Sequence, residues 1–256
     1  MKRLLDWRLL TALLVFAFGM TVASCGEEDE VKPDTELGTD GSAGENQGSS
    51  EETDNGETDL ENPDGGVVVD LGLPSGTLWA DRNVGADSPE DYGDYFAWGE
   101  TEPKTTYNWS TYKWCNEDNF SLTKYCTNQT YGFNEFHDGK TILDPEDDAA
   151  TVNMGSRWRM PTEMEIKELK DNCSWAWVSQ NDVFGRKVTG PNGNSIFLPA
   201  AGYNTGEDAS KYGYYWANSL GGKNPNDAWY LDFGEEYYGA HYNRRLYGCS
   251  VRAVVK

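Results

Sequence analysis

The chain has 256 residues, enough for one large domain or two small ones, and a formal net charge of −22. So acidic a balance excludes nucleic acid and anionic membrane surfaces as partners, since both need basic patches. Aromatic residues make up 13%, with ten Trp and fifteen Tyr; such rings fill β-rich cores and also line ligand surfaces.

Residues 1–25 read as an export signal. Lys2, Arg3 and Arg8 make a basic start. Residues 9–20 form an apolar run with the length of a signal-peptide core, too short to span a bilayer comfortably. Val22-Ala23-Ser24-Cys25 resembles the lipobox of bacterial lipoproteins, with small residues ahead of a thiol that takes lipid such as palmitate. Cys25 is the expected attachment site and the first residue of the mature chain. The acidic run Gly26-Glu27-Glu28-Asp29-Glu30 resembles the signal that sends lipoproteins to the outer face of the outer membrane in Bacteroidetes-type bacteria. Residues 26–64 hold fifteen Asp or Glu against one Lys and almost no large apolar side chain. Such a segment cannot bury enough surface to offset its ordering entropy, and its like charges extend it. It is expected to be a disordered tether, so the membrane is engaged through the lipid alone.

Composition changes at Gly65, and residues 65–256 read as one folded domain. Strands are expected over 67–71, 77–80 and 95–98, and later over 195–200, 214–217, 228–233 and 249–255. Leu73-Pro74-Ser75-Gly76, Asn192-Gly193 and Gly221-Gly222 are turn signals. Residues 100–154 loosen into Asn, Thr, Tyr and Asp and predict a long loop region. The acidic cluster at 144–148 lacks EF-hand spacing and reads as a solvated turn. After Pro161 comes the clearest helix start, over about 162–172. Thr162 and Glu165 make a capping box, and Glu163 and Glu165 put negative charge at the positive end of the helix. Ile166 and Leu169 supply an inward face, with Trp158 and Met160 just ahead of it.

Four cysteines follow Cys25, and an even number in an exported protein points to disulfides. Cys115 and Cys126 are close enough in sequence to staple the loop, and Cys173 and Cys249 would then tie the helix to the last strand. The other two pairings, or four free thiols, are the alternatives.

Residues 69–80, which run V-D-L-G-L-P-S-G-T-L-W-A, resemble the opening of the major paralogous domain first named from Fibrobacter succinogenes (FISUMP-type). The Y-G-D-Y-F-A-W-G-E of 92–100, the W-R-M-P-T of 158–162 followed by Glu165, the Y-Y-W-A-N-S of 214–219 and the G-C-S-V-R of 248–252 are similar to its later segments. The resemblance covers essentially the whole domain. It implies an α+β domain of the C-type lectin-like fold, mostly antiparallel sheet with one principal helix and long loops. In that fold a disulfide often joins a helix to the last strand, as Cys173 and Cys249 would.

The candidate ligand surface lies in the C-terminal third. Tyr203, Asn204, Asp208, Tyr212, Asn218, Asp227, Trp229, Tyr238, His241, Tyr242 and Asn243 mix flat rings with amides and carboxylates, a mixture that suits a carbohydrate or a protein epitope. The same residue types also serve as turn formers and sheet-face tyrosines. Calcium is weighed because Asn224-Pro225-Asn226-Asp227 is similar to the lectin calcium loop, but Trp216-Ala217-Asn218 precedes it where the lectin motif follows; no metal is assigned. Nothing matches G-x-S-x-G, H-E-x-x-H or a Gly-rich phosphate loop, and His137 and His241 lack a zinc pattern, so no catalytic residue is named. The resulting expectation is a cell-surface lipoprotein whose domain binds an extracellular glycan or protein without catalysis. A structural or assembly component of the envelope is the alternative.

Overall fold

In the computed structural model, which describes residues 67–255, the chain opens with two short antiparallel strands, β1 (Val68–Asp70) and β2 (Leu78–Ala80). The turn between them closes with Gly76 donating to Leu73 O at 2.9 Å. Residues 95–98 were expected as a strand but form a single bridge, Phe96 to Cys249, because Trp98 turns its amide to Arg245 O instead.

The region 100–148 is turns and single-turn 3-10 helices, as expected. It ends in a helix that the loop pattern did not suggest, α1 (Ala149–Met154). Asp148 starts it by accepting the Ala150 and Thr151 amides at 2.9 and 3.0 Å, and it also takes the Met160 amide at 2.9 Å. Asp147 accepts from Lys124 Nζ at 2.5 Å and Tyr125 OH at 2.6 Å. Both carboxylates are buried. The 144–148 cluster is therefore a buried hub in part, not the solvated turn its composition implied. Its cation and phenol lie more than twenty residues away in sequence.

The principal helix, α2 (Glu163–Asn172), starts as the residues dictate. The Thr162 hydroxyl accepts the Glu165 amide at 3.2 Å, and the Glu165 carboxylate accepts the Thr162 amide at 2.8 Å. That carboxylate also receives Arg159 through two bonds of 2.6 and 2.7 Å and the Thr77 hydroxyl at 2.9 Å. Burial alone would raise the Glu165 carboxyl, but Arg159 and the Thr162 amide outweigh it and hold it at about 2.

Three further strands follow as an antiparallel sheet: β3 (Ser174–Gln180), β4 (Val183–Thr189) and β5 (Ser195–Pro199). The β3–β4 hairpin was missed in the sequence, although Trp175 and Trp177 alternate with Ser174 and Ala176. Its turn residues Asn181 and Asp182 both take positive φ, +48° and +65°, as a tight two-residue hairpin demands. Next come β6 (Gly213–Leu220), β7 (Asp227–Phe233) and β8 (Tyr238–Arg244), again antiparallel. β9 (Val254–Val255) returns to pair with β2. The described part is thus α+β, with small antiparallel sheets and few helices.

Period-two alternation divides the core. On β6, Trp216 joins one cluster with Trp98, Trp158, Phe96 and Val251, while Tyr215 and Ala217 join another with Ile166, Leu169, Leu198 and Phe233. At the chain end Val255 belongs to the first cluster and Val254 to the second. α2 covers the second cluster; the edge of the first opens at a tyrosine-rich surface.

Candidate binding site

The register of β6, β7 and β8 sets this surface. Tyr214 stands opposite Asp232, Trp216 opposite Tyr230, and Tyr230 opposite His241, so these side chains share one face, with Asn243 two residues beyond His241. The segment 200–212 folds over its edge. Gly202 takes φ +70°, and a Cβ there would meet Glu207 O at 2.1 Å, so only glycine fits. Asn204, at φ +54°, accepts the Gly248 amide through its side chain at 3.1 Å and donates its own amide to Gly248 O at 2.5 Å. That exchange holds Tyr203 beside Tyr247.

The tyrosine rings then form a run. Tyr203 meets Tyr247 and Tyr214 edge-on, with centroids 5.8 and 5.6 Å apart. Tyr214 lies stacked on Tyr230 at 6.0 Å and tilted to Tyr212 at 6.3 Å, and Tyr212 continues to Tyr237 at 6.3 Å. Two clefts open along it. The smaller, about 240 Å³, is lined by Tyr203, Asp208, Tyr214, Asn243, Tyr247 and Cys249. The larger, about 520 Å³, is lined by the rings of Trp177, Phe184, Tyr212 and Tyr237 together with Ser210, Lys211, Glu235 and Glu236.

Burial raises the phenols of Tyr214, Tyr230 and Tyr237, and the Glu207 carboxylate raises that of Tyr203. These hydroxyls stay protonated at neutral pH and can donate as well as accept. Asp232, whose carboxyl burial raises against the pull of His241, sits 2.7 Å from His241 Nδ1. It orients an otherwise exposed imidazole on the same face.

The residues named from sequence divide over the two faces of this sheet. Tyr203, Asp208 and Asn243 line the smaller cleft, Tyr212 lines the larger one, and His241 stands beside them. Asn204 lies behind, as a loop anchor. Trp229, Tyr238 and Tyr242 fall on the opposite face. There Tyr242 meets Trp229 edge-on at 5.6 Å, Lys167 lies 4.7 Å over Trp229, and Tyr238 stacks on Trp175 at 4.7 Å. Asn218 is buried and gives its amide to Pro161 O. The Asp227 carboxylate is taken by Arg244 at 2.9 Å, within the segment similar to a calcium loop. Among the described residues no three His, Cys, Asp or Glu side chains converge as a metal would need. Tyr214, Tyr230, Tyr237, Tyr247, Trp177 and Phe184 were missed; the alternation Tyr214, Trp216 on β6 was the available signal.

The cysteines correct an expectation: Cys115, Cys126, Cys173 and Cys249 are all free thiols. Cys173 ends α2 beside the second cluster, whereas Cys249 is buried in the first, so the pair expected to tie helix to strand lies on different sides of β6. Cys115 and Cys126 donate instead to Trp109 O at 3.0 Å and Asn128 O at 3.1 Å. Cys25 lies outside the described residues, as do the expected signal and tether.

Residues 145–254, from just before α1 into β9, are similar to the sequence family described as a domain of unknown function (DUF8237). That span contains α2 and every ring of the run, Tyr203 to Tyr247. No curated protein and no solved structure matches the chain.

Proposed function

We propose that this chain is an outer-membrane surface lipoprotein, anchored at Cys25, whose acidic tether presents a FISUMP-type, C-type lectin-like domain that binds an extracellular glycan without catalysis. The observation that carries the binding reading is the convergence of Tyr203, Tyr214 and Tyr247 with Asp208 and Asn243 around one open cleft. Ring faces stack on the C–H face of a sugar, while a carboxylate, an amide and neutral phenols exchange hydrogen bonds with its hydroxyls. The Asp227–Arg244 pair supports binding without calcium.

A glycan array probed with the purified protein tests this. Retention of a defined glycan class, unchanged by EDTA and lost in Tyr247→Ala, is the expected result. An array without retained glycans would sink the reading and favour a protein partner or an assembly role in the envelope. Anchoring is tested separately by metabolic labelling with palmitate: Cys25→Ala should abolish the label and release the protein, and a labelled variant would refute the anchor.

A further inference from the structure

We propose that the larger cleft is a second binding site, for an organic ammonium group. The site stands on its own residues and does not depend on glycan binding at the smaller cleft. Trp177 on β3 and Phe184 on β4 hold their rings nearly parallel, 9° apart with centroids at 6.2 Å, as diagonal neighbours on one sheet face. Tyr212 and Tyr237 line the same cleft. Four rings line one space, and an open aromatic face carries the negative side of its quadrupole, which attracts a cation within about 6 Å of a ring centroid.

The charges complete the site. Glu235 and Glu236 line the cleft from the β7–β8 turn, exposed, and among the described residues neither carboxylate makes an ion pair or side-chain hydrogen bond. Two cations share these surroundings: Lys211 lines the cleft itself, against the two carboxylates, and Arg186 lies 5.7 Å over the Trp177 ring. Lys211 lies 3.6 Å from Asp208. Arg186, buried, donates to Gly234 O at 2.7 Å, Glu235 O at 2.8 Å and Tyr237 O at 3.4 Å, which fixes the turn through its backbone. A neutral apolar guest would desolvate two unpaired carboxylates for no return; an alkylammonium offsets that cost and stacks on the rings.

Titration calorimetry of the whole protein with choline, with its neutral isostere 3,3-dimethylbutan-1-ol, and with Nα-acetyl-lysine methylamide tests the assignment. Choline should bind saturably and the isostere about tenfold more weakly or worse. Trp177→Ala, and the pair Glu235→Gln with Glu236→Gln, should each weaken choline by about tenfold. The distant pair Glu102→Gln with Glu135→Gln removes equal charge and should leave it unchanged. Tighter binding of the lysine amide would identify a lysine side chain as the natural group, and tighter binding of choline a free quaternary amine. Equal affinity for the isostere, equal loss in the distant pair, or no saturable binding would each overturn the proposal. The surface glutamine variants keep the test valid should Trp177→Ala fail to fold.

Discussion

Replacing Glu165 with glutamine removes one charge from the point where α2, the 159–162 segment and the β1–β2 turn meet. The carboxylate accepts Arg159 twice, the Thr162 amide and the buried Thr77 hydroxyl. A glutamine has one acceptor oxygen for these donors and sets its own N–H against one of them. The fall of the Glu165 carboxyl from 4.5 to about 2 corresponds to about 3 kcal/mol at neutral pH, at about 1.4 kcal/mol for each factor of ten in proton affinity. Arg159 is 32% exposed, so water screens part of the pair and the measured loss should be about 2–3 kcal/mol. The sign follows from the direction of the shift. The folded carboxyl is the more acidic, so its contribution is complete above the unfolded value of 4.5 and fades as pH falls towards 2. Urea unfolding followed by tryptophan fluorescence at pH 7, 5 and 3 should therefore show the two proteins far apart at pH 7 and converging at pH 3. A gap below about 0.5 kcal/mol at pH 7, or a gap that does not change with pH, would refute the reasoning.

Two more outcomes follow from the same geometry. Gly202→Ala places a Cβ 2.1 Å from Glu207 O at φ +70°, so it should lower stability by about 2 kcal/mol or more and displace Tyr203; a Tm within 1 °C or so of wild type would contradict the loop geometry. Titration with a chromogenic disulfide under non-reducing, denaturing conditions should find all four of Cys115, Cys126, Cys173 and Cys249 reactive, with buried Cys126 and Cys249 slow in the native state because burial pushes their thiols up. Two reactive thiols, or none, would restore the disulfides.

What could be read from sequence was what is decided locally. The capping box of Thr162 and Glu165 lies within four residues, so the start of α2 was legible in full, and Ile166 and Leu169 point inward as their spacing requires. The partners Arg159 and Thr77 were not named: Thr77 is 88 residues away, and only the packed fold brings it there. The same limit explains Asp147, whose partners Lys124 and Tyr125 sit across the loop region. Cysteine parity counts possible pairs but carries no distance, and alternation along β6 separates Cys173 from Cys249. The candidate site was legible as a composition. Which rings gather at the cleft depends on the side of the sheet each one takes: Trp229, Tyr238 and Tyr242 stand on the α2 side, the last two exposed, and Tyr214 and Tyr247 stand in the cleft.

The central claim is that the smaller tyrosine cleft binds a glycan. Calorimetric titration of an array-selected glycan into wild type, Tyr203→Ala and Tyr242→Ala measures it most directly. Tyr203 lines the cleft and Tyr242 lies on the opposite face. Affinity should fall by about tenfold or more in Tyr203→Ala, the scale expected for a ring in a binding centre, and stay within about twofold of wild type in Tyr242→Ala. Equal affinity in all three, or loss in Tyr242→Ala alone, would contradict the account.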